Sequence, residues 1–466
     1  MKTRLTDWVI YGSGLSALVL AEQLGSAGRD VLLVNPNKTW GGVFGGINID
    51  GDVFDAGMTN FEFDLFGEPA NDIQNYHPDH KHDVGRYVHF VERYLSRFVK
   101  TKVLPTPKML FAGHIVEDLI ISNRFDVLEF LAPPIRHAIC AELQAIVAKP
   151  NPLHPRTKKE PNARIASASF EQVSLANHGP TFHGLFIEPM FTKILGISSS
   201  EIEGIFHRNG WAPLFYPETL LSQFGSAPQK LKSTFFQYPA DLNFGEFIGR
   251  ISNTVRALPN VRIIDSAKEI EINLAKSAIR LGSEEICFRR LAWGGELAQL
   301  LGQSSEVVQT SKRASLDLFF LKVKENGVSN RFAVMIDSEA NSPFYRVTNQ
   351  SICSGALTTE HKFILECNSV NWHEESPESC FILDETLRRY GIDPKAVVFK
   401  QHRSFKGALA IPTTAKMHEF NRFRQRVAET FPNVNLIGAS SGFISVTLND
   451  HIIQALKIAQ EEGVLS

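Results

Sequence analysis

The chain has 466 residues, of which 43% are hydrophobic and 21% are charged. This balance is typical of a soluble globular protein and excludes wholesale disorder, and the length corresponds to more than one domain. Because 48 Lys and Arg stand against 50 Asp and Glu, the net charge of −2 excludes a basic field for nucleic acid or for an anionic membrane. No run of about 18 uninterrupted apolar residues occurs, so we expect no membrane span.

Cysteine usage and the first residues both favour a reducing compartment. The five cysteines include no Cys-x-x-Cys pair, which argues against a disulfide framework and a structural zinc site. Residues 1–7 lack the apolar core and small-residue cleavage site of a signal peptide. We therefore expect a cytoplasmic protein, and the sequence leaves open whether it forms a homo-oligomer.

A βαβ unit with a glycine-rich first turn is predicted at the N-terminus. A short buried strand over Trp8–Tyr11 leads into Gly12-Ser13-Gly14-Leu15-Ser16-Ala17, which is followed by a helix over 18–27 and an apolar strand over Val31–Val34. Strands that are apolar on both faces belong to a parallel sheet covered by helices. The predicted fold is therefore α/β, with a Rossmann-type domain.

The G-x-G-x-x-A turn predicts a dinucleotide site. Gly12 allows the tight turn, Gly14 lets a pyrophosphate approach the backbone, and the N–H groups of the helix N-terminus face the phosphates. The alternative is a glycine-rich turn without a ligand. In the binding interpretation, the phosphate contacts come from Gly12, Ser13, Gly14, Leu15 and Ser16.

The second strand ends at Asn35, where an acid usually binds the adenosine ribose. An amide can still bond a ribose hydroxyl, but more weakly than a carboxylate. Gly41 and Gly42 follow, either as a flexible loop or as a second close approach of the backbone to the cofactor.

The remaining elements follow in chain order. From about residue 60 the pattern is helical and loop-rich, and from Ser315 to Cys367 it alternates as an antiparallel sheet does. Helices are predicted over 88–98, 124–130, 243–258, 375–390 and 450–462, and further strands over 261–264, 270–272, 277–281 and 433–437.

Three features allow two interpretations each. The basic segment Lys149–Arg164 is either an exposed linker or a contact for phosphate or an acidic partner. Residues 76–83 contain three His and two Asp, yet their tight spacing favours a solvated loop over a metal site, and we expect no metal. The excess of 34 Phe over 8 Tyr indicates either a Phe-packed core or a dry cavity for a planar cofactor or an apolar substrate.

Several segments together carry a family resemblance. The N-terminal turn, Trp40-Gly41-Gly42 and Phe54-Asp55-Ala56-Gly57 resemble the FAD domain of the amine oxidase and protoporphyrinogen oxidase superfamily. Residues 186–197 and 236–251 resemble middle segments of the same proteins. SPFYRVTNQ, at 342–350, and the closing segment 431–459 resemble UDP-galactopyranose mutases, which the chain is most similar to in outline.

The resemblance implies FAD as cofactor and two discontinuous domains. The FAD-binding domain would comprise 1–60, 231–300 and 400–466, and a substrate domain with an antiparallel sheet would comprise 61–230 and 301–399. It also implies that Gly438, Asn449 and Asp450 contact the flavin cofactor, although the last two residues would cap the final helix in either interpretation.

Two arginines are the catalytic candidates. By resemblance Arg346 would bind a substrate diphosphate or carboxylate in bidentate fashion, and the alternative is a structural ion pair on the sheet. Arg403 would lie close to the isoalloxazine ring.

The sequence departs from the family pattern at the ribose acid, now Asn35, and at Ala439, where Arg or Asp is usual. Trp293-Gly294-Gly295 replaces Thr-x-Pro, and Gly57-Met58-Thr59-Asn60 lacks the mutase histidine. Three functions therefore stay open. The first is a FAD-dependent oxidoreductase acting on a small organic substrate. The others are a mutase-like enzyme that acts on a nucleotide sugar without net redox change and a non-catalytic accessory protein that retains the fold.

Overall fold

A computed structural model describes residues 4–63, 69–76, 85–155, 164–165, 167–208, 212–225, 236–266, 270–301, 313–356, 359–372, 377–441 and 447–465. Within this part of the chain, no helix is both long enough and apolar enough to cross a membrane.

The strands of the described residues are numbered in chain order. They are β1 Arg4–Tyr11, β2 Val31–Val34, β3 Ile47–Ile49, β4 Asp52–Phe54, β5 Phe61–Glu62, β6 Thr101–Val103, β7 Lys108–Phe111, β8 His114–Glu117, β9 Phe236–Pro239, β10 Val261–Ile264, β11 Glu271–Asn273, β12 Ala278–Leu281, β13 Glu284–Trp293, β14 Arg313–Lys324, β15 Val334–Asp337, β16 Phe344–Asn349, β17 Glu360–Asn368, β18 Val397–Ala410 and β19 Val434–Leu436.

The α-helices are numbered in the same way. They are α1 Leu15–Ser26, α2 Val88–Leu95, α3 Pro133–Val147, α4 Phe170–Phe182, α5 Glu188–Leu195, α6 Pro217–Ser222, α7 Phe244–Ala257, α8 Leu297–Leu300, α9 Gln350–Ser354, α10 Pro377–Arg389, α11 Thr414–Thr430 and α12 Leu448–Glu461.

The first compact unit comprises residues 1–102, 237–310 and 418–466. Its sheet has the strand order β10-β2-β1-β13-β12-β11, with β19 also pairing β13, and β10, β2, β1, β13 and β19 run parallel. Helices α1, α7 and α12 pack together, and Phe420, Phe423 and Val427 of α11 belong to the core cluster on one side of the sheet. Since Val9 and Ile10 point to opposite faces and are both fully buried, the sheet is covered on both sides, which confirms the Rossmann-type prediction.

The second unit comprises residues 103–236 and 311–417. Its sheet has the order β18-β14-β17-β16-β15-β7-β8, and all neighbours except β15 and β7 are antiparallel. One face packs Phe319, Phe344 and Leu365 against Leu383 and Leu387 of α10. A helical part contains α3 and α4, which pack against each other, and α4 continues through a π-helical turn at His183–Ile187.

The structure corrects three details of the predictions. Residues 61–102 lie in the first unit rather than the second, and 400–417 lie in the second rather than the first. The expected helix at 124–130 is a short 3-10 helix over Asp126–Phe130. The alternating pattern predicted from Ser315 to Cys367 is interrupted after Asn349, because the Asn349 side chain accepts the Ile352 N–H at 3.2 Å and caps α9.

Candidate functional site

The turn after β1 creates an open space at the N-terminus of α1. Gly14 is the N-cap residue of this helix and has φ −76°, which any residue can adopt. A Cβ added to Gly14 would have no atom within 4 Å among the described residues, and none of their side chains caps the helix. The first N–H groups of α1 therefore face space that an anionic group can enter.

The second glycine pair, Gly41 and Gly42, packs against this turn. Gly41 pairs with Gly14 as a parallel bridge, and its N–H donates to the Ser13 carbonyl at 2.7 Å. Gly41 has φ +93°, and a Cβ there would lie 2.7 Å from the Gly45 Cα, so only glycine fits. A Cβ on Gly42 would lie 3.6 Å from the Gly14 Cα. We call Gly12, Gly14, Gly41 and Gly42 the glycine cradle.

Packing of the turn against the end of β13 explains both the glycine at position 12 and the departure from the family pattern at residues 293–295. A Cβ on Gly12 would lie 3.6 Å from the Gly294 Cα, and the Gly294 N–H donates to the Tyr11 carbonyl at 2.8 Å. A Cβ on Gly295 would lie 2.7 Å from the Trp293 ring, which stacks on Tyr11 at 4.2 Å. The two glycines thus let the end of β13 pack against the turn.

The end of β2 differs from the sequence expectation. Asn35 is fully buried, and its Oδ1 accepts the Asn37 N–H at 2.9 Å. Its Nδ2 donates to Asp265 Oδ1 at 3.2 Å, and Asn37 donates to the Ser13 hydroxyl at 2.7 Å. Asp265 follows β10 and was not among the predicted site residues, because no pattern in the sequence shows that β10 pairs with β2.

The C-terminal motif meets the N-terminal turn through a histidine that the sequence analysis did not select. Ser16 Oγ lies 2.9 Å from His451 Nδ1 and also donates to the His451 carbonyl at 2.9 Å. A Cβ on Gly438 would lie 3.4 Å from His451 Cε1 and 4.0 Å from Ser16 Oγ, and the Gly438 N–H donates to Gln454 Oε1 at 3.0 Å. Ser16 and Gly438, both predicted cofactor residues, are therefore close neighbours.

Asn449 and Asp450 have protein partners. Both are fully buried. Asn449 Nδ2 donates to the Glu62 carbonyl at 2.6 Å, and its Oδ1 accepts the Glu62 N–H at 3.2 Å. Asp450 accepts the Tyr76 hydroxyl at 2.5 Å and forms a capping box with Thr447 at the start of α12. The capping interpretation holds for Asp450, while Asn449 anchors the segment around β5.

Several donors in the first unit are buried without a hydrogen-bond partner among the described residues. They are the Nε1 of Trp40, the residue before Gly41, the Nε2 of Gln454, whose Oε1 accepts the Gly438 N–H, and, elsewhere in the unit, polar atoms of Asn60, His89, Tyr94 and Arg262. Buried donors normally have partners, so the donors of Trp40 and Gln454 suit a polar ligand that the protein chain does not supply.

In the second unit, Arg346 forms an ion pair within the sheet. Its Nε and Nη2 each donate to Glu366 at 2.7 Å, and Glu366 also accepts the Tyr345 hydroxyl at 3.1 Å. Burial by itself would lower the pKa of Arg346, but the Glu366 carboxylate raises it overall, so the guanidinium is always charged. Among the described residues, Nη1 has no hydrogen-bond partner, and 19% of the side chain is exposed.

Arg403 shares a row of the sheet with Arg346. Arg346 pairs with Glu366, Glu366 with Leu318, and Leu318 with Arg403. Paired residues project from the same face of a sheet, and three strand spacings amount to about 14 Å. Both predicted catalytic arginines therefore lie on one face of the second unit, on strands that are three spacings apart.

The metal and linker alternatives fall largely outside the described residues. Residues 77–84 and 156–163 belong to the parts of the chain that the structure leaves out of its description. Within the described residues, no group of three or more His, Cys, Asp or Glu is arranged to hold a metal ion.

Comparisons with known proteins agree with this architecture. Residues 10–77 match the model of the NAD(P)-binding Rossmann-like domain. None of the curated proteins matches the chain in sequence. Among solved structures, reduced UDP-galactopyranose mutase is similar with a TM-score of 0.72 and 17% identity over 98% of this chain and 94% of that one.

The chain has the fold of UDP-galactopyranose mutase. A protein from Exiguobacterium sp. 255-15 assigned as a protoporphyrinogen oxidase is similar with a TM-score of 0.64 and 14% identity, over 99% of both chains. Putrescine oxidase bound to putrescine is similar with a TM-score of 0.61 and 12% identity, again over 99% of both. The expected resemblance to the amine oxidase-like superfamily is thus confirmed at the level of the fold.

Proposed function

We propose that this protein is a flavoenzyme that binds FAD in its first unit. The observation that carries the proposal is the glycine cradle at the uncapped N-terminus of α1, where Gly14 would point a side chain into open space. A helix N-terminus of this kind binds a diphosphate through its free N–H groups and its dipole. Gly438, held by Gln454 beside Ser16, supplies a further backbone approach from the C-terminal motif.

The activity we propose is oxidation of a small organic substrate. FAD, when bound, accepts a hydride equivalent from an amine, an alcohol or a C–C bond. The protein's part is to bind the cofactor through the cradle and to orient the substrate. Arg346 and Arg403, on one face of the antiparallel sheet, are the proposed substrate-orienting cations. Full-length similarity to putrescine oxidase, an enzyme whose name denotes an amine substrate, supports this choice.

The visible absorbance spectrum of the purified protein tests the proposal. The protein is recorded as isolated, and again after incubation with FAD and removal of the excess by gel filtration. We expect the two flavin bands to remain with the protein, and anaerobic addition of a substrate panel of amines and alcohols to bleach them. A colourless protein that retains no FAD would contradict the proposal and favour the accessory-protein hypothesis.

A second candidate is a non-redox reaction on a nucleotide sugar. Two observations favour it: the TM-score to UDP-galactopyranose mutase is 0.72, against 0.61 for putrescine oxidase, and Arg346 presents its Nη1 beyond the pair with Glu366. A guanidinium held at one edge by a carboxylate can bind a diphosphate with the other.

Calorimetry with UDP and with UDP-sugars distinguishes the two candidates. The mutase candidate predicts binding that is weakened by Arg346→Lys, since lysine cannot make the two-point contact. It also predicts an isomerised sugar product with reduced flavin and no consumption of oxidant. Flavin bleaching by an amine, together with no heat on addition of UDP, would leave the oxidoreductase.

A further inference from the structure

The position that usually binds the adenosine ribose is occupied by an inward-facing amide. In Rossmann-type dinucleotide sites an Asp or Glu about 20 residues beyond the glycine turn accepts the ribose 2′-hydroxyl. Here that position is Asn35, which is fully buried. Its Oδ1 accepts the Asn37 N–H and its Nδ2 donates to Asp265, so both ends of the amide already have protein partners.

A carboxylate nevertheless stands at this edge of the sheet, supplied by the neighbouring strand. Strand β10 runs parallel to β2 with Ile264 opposite Val34, so Asp265 and Asn35 each come directly after their strands. The Asn35 N–H donates to the Ile264 carbonyl at 2.8 Å, which continues the pairing to this point. Asp265 thus lies beside Asn35 at the carboxyl ends of the parallel strands, where such folds bind ligands.

Two protein groups hold the Asp265 carboxylate, and part of its side chain remains exposed. Oδ1 accepts the Asn35 amide at 3.2 Å and Oδ2 accepts Arg256 Nη2 at 2.7 Å, while 39% of the side chain is exposed. A carboxylate offers about four acceptor positions, so these two contacts leave capacity for a diol.

We propose that Asp265 is the ribose-binding carboxylate, transferred from the end of β2 to the end of β10, and that Asn35 is its positioning residue. This proposal rests on the proposed FAD function and identifies the ligand class as an adenine nucleotide with a free 2′-hydroxyl. A 2′-phosphate is disfavoured, because it would place an anion against Asp265 while the neighbouring Arg256 is already paired with that carboxylate.

Binding of small nucleotides to the FAD-free protein tests the proposal without reference to activity. Calorimetry compares ADP, 2′-deoxy-ADP and 2′-phosphorylated ADP. We expect the wild type to bind ADP about tenfold more tightly than 2′-deoxy-ADP, the usual range for a hydrogen bond to a charged acceptor. Asp265→Asn should remove this preference by weakening ADP binding alone. No variant is needed for the wild-type comparison, so the test stands even if Asp265→Asn folds poorly.

Two further variants separate a ribose contact from a structural one. The exchange Asn35→Asp with Asp265→Asn keeps one carboxylate and one amide side by side but moves the carboxylate to the buried position, so we expect the preference for ADP to stay lost. Arg256→Gln breaks the exposed ion pair but keeps the carboxylate, so ADP affinity should stay within about twofold.

The outcomes distinguish this proposal from the FAD proposal. A wild type that retains FAD but binds ADP and 2′-deoxy-ADP equally would overturn the role of Asp265 and leave the FAD function intact. Loss of affinity for both nucleotides in Asp265→Asn would likewise assign it a structural role. A wild type that binds neither FAD nor ADP would overturn both proposals.

Discussion

Glu366 holds Arg346 across neighbouring strands through two hydrogen bonds, with Nε and Nη2 each 2.7 Å from a carboxylate oxygen. The Glu366 side chain is only 3% exposed. The pair is the structural ion pair that the sequence allowed, and under the proposed function it would also hold the cation that orients the substrate. Its two roles can be separated because one depends on Glu366 and the other on the remaining N–H groups of Arg346.

Removing Arg346 should destabilise the second unit. Arg346→Ala leaves a buried carboxylate without its cation, which typically costs about 3–5 kcal/mol of unfolding free energy. Replacing both partners, as Arg346→Met with Glu366→Leu, should recover most of the loss, because no buried charge remains. Urea unfolding monitored by circular dichroism measures both variants. A single variant that unfolds like the wild type would mean that Glu366 is solvated or protonated.

The glycine cradle predicts a substitution that affects binding and not folding. Gly14→Ala adds a methyl group that has no neighbour within 4 Å at an ordinary φ, so we expect an unchanged thermal midpoint of the ligand-free protein. The same methyl group occupies the space of the phosphate, and FAD affinity should fall by at least about tenfold.

Gly249→Ala in α7 is the matched control, because a Cβ there also has nothing within 4 Å. It should leave FAD affinity unchanged and stabilise the helix by about 0.5–1 kcal/mol. Equal retention of FAD by both variants, measured by flavin fluorescence after gel filtration, would place the cofactor away from Gly14.

We expect substitution of Asn449 to lower the stability of the FAD-free protein, independently of any effect on cofactor binding. Asn449→Ala removes two hydrogen bonds to the backbone of Glu62, and each such bond typically contributes about 0.5–1.5 kcal/mol. Asn449→Asp keeps the acceptor for the N–H but turns an oxygen toward the Glu62 carbonyl, so we expect a loss at neutral pH as well. Chemical unfolding of the FAD-free protein measures both. If the FAD-free variants match the wild type and only FAD binding suffers, the direct flavin contact implied by the family resemblance is favoured.

A buried histidine predicts acid sensitivity of the second unit. Burial, and secondly the nearby His183, lower the pKa of His178 from 6.5 to about 3. The unfolded chain therefore binds a proton between these values that the folded chain does not, and His178 stabilises the fold above pH 6.5 and loses that contribution as the pH falls toward 3. One such proton corresponds to about 1.4 kcal/mol per pH unit.

The measurement is the urea midpoint of His178→Gln and of the wild type between pH 7 and pH 4. The wild type should lose stability more steeply on acidification, and the two curves should converge toward low pH. His114→Gln, at an exposed position on β8, is the control and should follow the wild type. Parallel curves for wild type and His178→Gln would show that His178 titrates normally.

Local sequence patterns were sufficient to predict the strands and helices around the glycine cradle, but not the residues that the site residues contact. The strand over Val31–Val34 and the helix starting after Asn243 follow from periodicity and capping within a few residues. By contrast, the contact between Asn35 and Asp265 joins positions 230 residues apart, and only the pairing of β10 with β2 creates it. The partner of Arg346 likewise depends on strand register, which composition does not determine.

The boundary of the first unit could not be predicted from local sequence patterns either. Residues 61–102 join it through pairs that no local pattern reveals: Arg97 with the buried Glu22, and Tyr76 with Asp450. Each partner is an ordinary helix or loop residue in the sequence. The two contacts join positions 75 and 374 residues apart, so they can be assigned only from the packing of the helices.

The contact of Ser16 with His451 can form only late in biosynthesis. The two residues are 435 positions apart, so the glycine turn appears at the ribosome long before the helix that completes its surroundings. At translation rates of about 5–20 residues per second, the interval is roughly 20–90 s. During that time the apolar side of α1 has no partner from α12, and exposed apolar surface of this kind favours aggregation. A nucleotide bound at the cradle would find its complete pocket only after this last helix has left the exit tunnel.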